Sequence, residues 1–161
     1  MAFKESPHAA HTTHATLVFE REVPATVERV FAAFASAESR SNWGAPSDTA
    51  TIIYDQDDFR EGGEDRFRCG SKSNPNIHGI TRYLEIFPNR RIVSSETISM
   101  DGKRICASLV TIELTQSGGV TKLRSTSQVA SFIGQDMISG TEVGNNSSLN
   151  SLVNYFSKVR A

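Results

Sequence analysis

The chain has 161 residues, of which 38% are hydrophobic and 22% are charged. These values are typical of one folded domain and exclude an intrinsically disordered chain. The 17 Lys and Arg residues are balanced by 18 Asp and Glu residues, so the formal net charge is −1. Because nucleic-acid-binding proteins usually carry a basic excess, we expect no nucleic-acid partner. Cys69 and Cys106 are too far apart for a Cys-x-x-Cys motif and are expected to be reduced.

Residues 1–14 are polar and are predicted to form a flexible leader. They include His8, His11 and His14, whose spacing would suit a metal only on a helix. Pro7 disfavours such a helix, so we predict no metal site and no cofactor. The leader lacks the apolar stretch of a signal peptide, and no apolar run approaches the ~20 residues that cross a bilayer. We therefore expect a soluble cytoplasmic protein with no membrane partner.

Residues 15–161 are predicted to form a single domain that begins with one strand and two short helices. The strand, Ala15–Val23, is ended by Pro24. Thr26 can cap the first helix, whose apolar residues recur at amphipathic spacing. Those apolar residues are Val27, Val30, Phe31 and Phe34. The second helix is predicted over Ser36–Trp43.

Six further strands follow, each with alternating apolar and polar residues and each bounded by turn sequences. Their predicted ranges are Thr49–Tyr54, Glu64–Cys69, Gly79–Phe87, Arg91–Ile98, Ile105–Leu114 and Val120–Phe132. Asp101-Gly102 and Gly118-Gly119 are typical of two-residue hairpin loops. Because no helix separates these strands, we expect an antiparallel meander.

Near the end of the chain the apolar residues recur with helical spacing, which predicts a long helix over 139–159. Its apolar stripe consists of Leu149, Leu152, Val153, Phe156 and Val159. A helix with one apolar stripe is stable mainly through packing, so we expect it to lie against the sheet. The predicted fold class is therefore α+β.

One helix cannot cover the whole concave side of a strongly twisted sheet of about seven strands, which leaves room for a cavity. Residues expected on the inner face are Cys106, Ser108, Val110, Ile112 and Leu114 of the sixth strand and Leu123, Ser125, Ser127 and Val129 of the seventh. The small polar residues among them favour an open cavity. The alternative is that they form the solvated end of each strand.

Five segments of the chain match the pattern of a known family. They are Phe19–Phe34, Ser41–Trp43, Asp58–Gly63, Arg82–Val93 and Gly119–Leu123. In order and spacing they resemble the START-like (SRPBCC) helix-grip superfamily, and more narrowly the bacterial proteins named after the C-terminal domain of the activator of Hsp90 ATPase. The resemblance covers about Thr13–Tyr155. It implies a helix-grip fold, in which a curved antiparallel sheet wraps around a long C-terminal helix.

The chain departs from the family pattern at two places. Many relatives have a Gly-Trp pair early in the last helix, where this chain has Gly144-Asn145. Many also have bulky aromatic residues after the Pro-x-Arg-Arg turn, where this chain has Ser94-Ser95-Glu96. Smaller residues at these positions would enlarge the cavity or make it more polar, so the ligand class of the relatives does not carry over.

The resemblance implies three functional hypotheses. The first is a binding protein that holds a small, partly hydrophobic molecule of unknown identity in its cavity. The second is an enzyme of the cyclase, dehydratase or hydrolase type that uses an acid in the cavity. The third is contact with an Hsp90-type chaperone, and relatives also suggest a homodimer.

Glu85, Glu96 and Tyr83 are the candidate catalytic residues. A glutamate that points inward would have a raised pKa and could donate a proton, whereas one that points outward is an ordinary solvated charge. Alternation does not decide the matter, because Glu85 competes with Leu84 and Ile86 for the inner face. The residues expected to line the cavity are Trp43, Phe67, Tyr83, Glu85, Ser94, Glu96, Cys106, Ser108, Ser125, Ser127, Leu149 and Val153. For Trp43, packing in the core is the alternative to covering the cavity mouth.

Overall fold

The computed structural model describes residues 11–45 and 47–159. Within these ranges the elements follow the order expected from the sequence. The strands are β1 (Thr13–Val23), β2 (Ala50–Gln56), β3 (Glu64–Ser71), β4 (Asn74–Phe87), β5 (Arg91–Met100), β6 (Lys103–Ser117) and β7 (Val120–Ser131). The helices are α1 (Val27–Ala35), α2 (Ala37–Trp43) and α3 (Gln135–Val159). Residues 1–10 of the predicted leader lie outside the described part, and Thr13 and His14 already belong to β1.

The strands form one antiparallel sheet in the order β1-β7-β6-β5-β4-β3-β2. β2 to β7 are consecutive neighbours, as a meander requires, and β1 pairs with β7 along its whole length. The sheet is curved and α3 lies in its concave side, which confirms the predicted α+β helix-grip architecture. α1 and α2 connect β1 to β2 and lie at one end of the sheet.

The loop between β5 and β6 confirms the hairpin predicted at Asp101-Gly102. Both residues have positive φ, 52° and 75°. A two-residue type I′ turn needs positive φ at both central positions, and Asp-Gly is among the pairs that adopt it at low energy. Gly118-Gly119 likewise forms the two-residue connection between β6 and β7.

The two short helices begin at the residues whose side chains can cap them. The Thr26 hydroxyl accepts a hydrogen bond from the backbone N–H of Arg29 at 3.4 Å. The Ser36 hydroxyl accepts one from the N–H of Ser39 at 3.2 Å. Each bond satisfies a backbone donor that the first turn of a helix leaves free, and the cap at Thr26 is the one predicted from the sequence.

α3 begins at Gln135, four residues before the predicted start. Met137 and Ile138 are buried, so the additional turn packs against the core. Farther along, Leu152 and Phe156 are also buried. α3 therefore contacts the core at both of its ends.

Gly79 of β4 is required by a close approach of the neighbouring strand. It pairs with Phe67 of β3, and a methyl group placed on Gly79 would lie 2.0 Å from Cζ of that ring. We expect Gly79→Ala to lower the free energy of unfolding by about 1–3 kcal/mol, because the ring must leave its packed position. Urea unfolding followed by circular dichroism measures this change.

Gly144 provides the matched control. It lies within α3, and no atom lies within 4 Å of the position that its Cβ would occupy. Gly144→Ala should raise the free energy of unfolding by about 0.5–1 kcal/mol, because alanine favours the helix. Equal destabilisation by the two substitutions would show that the Phe67 contact is not the cause.

Candidate functional site

A cavity of about 160 Å³ lies between α3 and the sheet, where α1 and α2 also reach the interior. Its apolar wall consists of Phe34, Trp43, Val110, Ile112 and Leu149. Its polar wall consists of Glu96, Ser108, Ser125, Ser127, Thr141, Asn145 and Ser148. Every one of these residues is buried or partly buried. Three larger depressions, of about 670, 1040 and 220 Å³, lie at the surface and have walls that include exposed residues.

The register of the sheet explains why small residues meet at this cavity. Glu96 of β5 pairs with Ser108 of β6, and Val110 of β6 pairs with Ser127 of β7. Because paired residues point to the same side of a sheet, these side chains share the inner face. The predicted inner face of β6 and β7 is therefore present. Serine is too short to reach the helix, which leaves the space open.

α3 contributes small polar residues to the same part of the interior as these serines. Thr141, Asn145 and Ser148 are spaced by four and three residues, which places them on one face of α3. Leu152 continues that face and is fully buried. The inner face of α3 is thus apolar at its ends and polar in its middle, and the polar section coincides with the cavity.

Trp43 packs in the core and also lines the cavity. Its ring lies edge-to-face with that of Phe34, with centroids 5.0 Å apart. Its Nε1–H donates to the carbonyl of Ala33 at 3.2 Å. At the adjacent end of α2, the hydroxyl of Ser148 donates to the carbonyl of Gly44 at 2.7 Å. These contacts hold α2 against α3 beside the cavity.

Glu96 is the acidic residue of the cavity wall. Burial raises the pKa of its carboxyl from the ordinary 4.5 to about 7, because the charged form is separated from bulk water. Within residues 11–45 and 47–159, its carboxyl makes no hydrogen bond or ion pair. Its charge in turn contributes to raising the pKa of the Cys69 thiol to about 11 and that of Cys106 to about 12, mainly through burial of the thiols themselves.

The arginines of β3 and β4 pair with carboxylates at the surface. Arg66 and Arg82 both contact Glu64, at 2.7 and 2.9 Å. Arg68 contacts Asp55 at 2.8 Å. These three cations therefore do not neutralise the carboxyl in the cavity.

Glu85 lies outside the cavity, in contrast to the expectation that it would line the wall. A β-bulge between Tyr83 and Glu85 adds Leu84 to β4, so Tyr83 pairs with Ser94 while Glu85 pairs with Val93. The added residue reverses the alternation and turns Glu85 outward. There it accepts two hydrogen bonds from Arg91, at 2.6 and 3.0 Å, and its side chain is 40% exposed.

Tyr83 points inward but is part of a packed polar cluster and not of the cavity wall. Its hydroxyl donates to the carboxylate of Asp65, which also binds Arg40 at 2.9 Å. The other carboxylate oxygen of Asp65 accepts the backbone N–H of Asp58 at 2.8 Å. Arg40 lies over the ring of Tyr54 and 4.6 Å from its centroid. This cluster connects α2 to β3 and β4, and sequence reasoning did not identify it because its members lie on four separate elements.

Four other residues expected at the cavity occupy packed positions. Ser94 and Cys106 are buried on the inner face, and Val153 is partly buried against the core. Phe67 is buried against Gly79. Cys69 and Cys106 are both free.

The N-terminal histidines considered for a metal site lie only in part within the residues that the structure describes. His8 lies outside the described ranges, while His14 is on β1 and is exposed. In the ranges 11–45 and 47–159, no group of three or more His, Cys, Asp or Glu residues is arranged to hold a metal ion.

Sequence reasoning missed several residues of the cavity wall. They are Phe34, Val110, Ile112, Thr141, Asn145 and Ser148. Val110 and Ile112 were placed on the correct face but not assigned to the cavity. The signal for the helix side was present, because Thr141, Asn145 and Ser148 continue the apolar face of α3 toward its start.

Comparison with known proteins identifies the family. The model of the family described as "Activator of Hsp90 ATPase homolog 1-like protein" matches residues 24–157. The chain belongs to this family. Its fold commonly binds hydrophobic ligands. A search of curated proteins found no match. No helix in the described part of the chain is long and apolar enough to cross a membrane.

Solved structures of similar proteins share the fold over nearly the whole chain. Protein Mll3558 from Rhizobium loti is 34% identical, with a TM-score of 0.79 over 89% of this chain and 98% of that one. A protein from Rhizobium leguminosarum is 28% identical, with a TM-score of 0.81 over 92% and 97% of the two chains. DynU16, from the dynemicin biosynthetic locus, is 15% identical with a TM-score of 0.65, and the match covers 88% of this chain and 47% of DynU16. This last likeness shows the fold alone.

The raised pKa of Glu96 makes stability depend on pH. The folded chain binds a proton at Glu96 more tightly than the unfolded chain does. The contribution of Glu96 to the free energy of unfolding therefore falls as pH rises from about 4.5 to about 7, and it stays low above pH 7. Glu96→Gln removes the buried charge. We expect the variant to gain about 1–3 kcal/mol over the original protein at pH 8, and little at pH 4.5. Urea unfolding at the two pH values measures the difference.

Glu85→Gln is the matched control because the effect at Glu85 has the opposite sign. The hydrogen bonds from Arg91 lower the pKa of the Glu85 carboxyl, so that pair stabilises the fold above pH 4.5 and is lost on acidification. Glu85→Gln should therefore give no gain at pH 8. An equal gain in both variants would show that burial of Glu96 is not the source.

Proposed function

We propose that this protein binds a small, partly apolar molecule in the cavity between α3 and the sheet, and that it does so in the cytoplasm. The observation that carries the proposal is the unfilled space at the level where small polar residues of α3 face small polar residues of β6 and β7. Protein interiors normally pack as densely as crystals of organic molecules, so an unfilled space of this size supports the presence of a ligand-binding site.

The composition of the walls supports a ligand with two kinds of surface. Phe34, Trp43 and Leu149 provide an apolar wall, and Glu96 and Asn145 are among the groups that provide hydrogen bonds. Binding pockets usually combine a mostly apolar lining with a few polar groups that orient the ligand. The volume of about 160 Å³ favours a molecule smaller than most drug-sized ligands, whose pockets begin at roughly 300 Å³.

Filling the cavity with a side chain tests this proposal. Asn145→Trp places an indole in the space, so compounds that stabilise the original protein should no longer stabilise the variant. A thermal-shift screen of lipids, aromatic metabolites and polyketide-like compounds measures this. A ligand at a hundredfold excess over its Kd should raise the unfolding free energy of the original protein by about 2.7 kcal/mol.

Val143→Trp is the matched control for the screen. Val143 is two residues away on the same helix and is 67% exposed, so the indole there would face solvent. Ligand stabilisation should persist in this variant, and cooperative unfolding without ligand checks that both variants fold. The proposal is wrong if no compound stabilises the original protein, or if hits stabilise both variants equally.

A second candidate function is acid–base catalysis by Glu96. Its carboxyl lies in the cavity wall with a pKa of about 7, which is suited to proton transfer near neutral pH. Contact with an Hsp90-type chaperone has only the family description in its support, and a homodimer also stays a prediction.

Turnover of cyclisation, dehydration and hydrolysis substrates tests the enzyme hypothesis. If Glu96 donates or accepts a proton, Glu96→Gln should lower kcat by roughly 10²–10⁴-fold while ligand stabilisation is retained. Glu85→Gln should leave kcat unchanged, since Glu85 lies outside the cavity. Unchanged turnover in Glu96→Gln would exclude Glu96 as the proton-transfer group.

A further inference from the structure

Two hydroxyl groups of the cavity wall each use their single proton in a hydrogen bond to a backbone carbonyl. The Thr141 hydroxyl donates to the carbonyl of Met137 at 2.9 Å. The Ser148 hydroxyl donates to the carbonyl of Gly44 at 2.7 Å. A hydroxyl has one proton and two lone pairs, so both groups can only accept a hydrogen bond from a molecule in the cavity.

Glu96 adds a further acceptor to this wall when it is ionised, and no cation of the described residues forms an ion pair with it. The titratable groups that its charge reaches are Tyr54 on β2, Cys69 on β3 and Cys106 on β6, and all three are neutral at pH 7 because burial raises each pKa. Arg40, which is buried among the described residues, binds Asp65 instead. The section of α3 that lines the cavity adds no titratable side chain.

The remaining polar groups of the wall do not reverse this excess of acceptors. The hydroxyls of Ser108, Ser125 and Ser127 and the amide of Asn145 can each donate or accept. A ligand rich in donors would therefore satisfy the wall better than one rich in acceptors. A primary ammonium group has three N–H donors and no acceptor, and its charge would also neutralise Glu96.

We propose that the cavity binds a small primary amine in its ammonium form, with the nitrogen at Glu96 and the apolar part against Phe34 and Trp43. This inference rests on the proposed ligand-binding function and names its ligand class. A cavity of about 150 Å³ is large enough to hold benzene, so the available 160 Å³ suits one ring with a short amino-substituted chain. The electron-rich faces of aromatic rings also attract cations.

Binding of an ammonium ion has a consequence for protons. Below pH 7 the Glu96 carboxyl is mostly protonated, so it must release its proton to solvent before it can pair with the cation. The affinity should therefore fall by about tenfold for each pH unit below 7. A neutral alcohol of the same shape needs no such proton release, so its affinity should change little with pH.

Three probes of nearly the same size distinguish the contribution of the ammonium group to binding from that of the ring. Isothermal titration calorimetry at pH 8 compares benzylamine, benzyl alcohol and toluene on the full chain. We expect benzylamine to bind about tenfold or more tightly than benzyl alcohol, because a charge-assisted hydrogen bond to Glu96 is made only by the amine. Glu96→Gln should remove this preference, and Glu85→Gln should retain it.

The outcomes distinguish this inference from the function on which it rests. If benzyl alcohol or toluene binds as tightly as benzylamine, or if Glu96→Gln leaves the preference intact, the ammonium assignment is wrong while the cavity remains a binding site. If none of the three binds, the ammonium assignment is also wrong, and the compound screen with Asn145→Trp decides the proposed function separately.

A measurement on the unaltered protein keeps the test independent of any variant. Benzylamine titrations at pH 6 and at pH 8, each in two buffers with different ionisation enthalpies, report the number of protons released. We expect close to one proton per amine bound at pH 6 and close to none at pH 8. Equal proton release at both pH values would contradict pairing of the ammonium with Glu96.

Discussion

The packing of α3 against the concave face of the sheet determines the interior of this protein. The helix is apolar near Ile138 and again near Leu152, and both regions are buried in the core. Between them, its inner face carries Thr141 and Asn145, opposite short serine side chains on the sheet. The apolar ends hold the helix at a fixed distance, so the short polar middle cannot close the gap. The cavity follows from this difference in side-chain length along one helix face.

Two inward-facing carboxyl groups, those of Asp65 and Glu96, differ in whether they have bonding partners. Asp65 is fully surrounded by partners, since it binds Arg40, Tyr83 and a backbone N–H. Glu96 borders the cavity and has no such partners among the described residues. An isolated carboxyl at a partly buried position weakens the fold at neutral pH, whereas a neutral residue of similar size would not. Because the Glu96 carboxyl is unfavourable for folding and lies at a cavity, it is a candidate for a functional role. The Asp65 carboxyl has a structural role, since it holds its partners together.

Local sequence patterns predicted the elements of this fold because each depends on nearby residues. The caps at Thr26 and Ser36 and the turn at Asp101-Gly102 are satisfied by atoms a few positions away. Alternation along β6 likewise placed Ser108 on the inner face correctly. Alternation left the direction of Glu85 undecided, because the bulge at Leu84 depends on how β4 pairs with β5 and changes which residues of β4 face inward.

The sequence by itself determined the order of strands and helices, the antiparallel meander and the presence of a long amphipathic helix that needs a sheet to pack against. It also supplied the small polar residues that make a cavity possible. Only the tertiary structure decided that Glu96 faces this cavity while Glu85 faces solvent, and that Asn145 rather than Val153 completes the wall. The physical reason is that local spacing sets which residues share a face, whereas the register between distant strands and the position of the helix along the sheet set which faces meet.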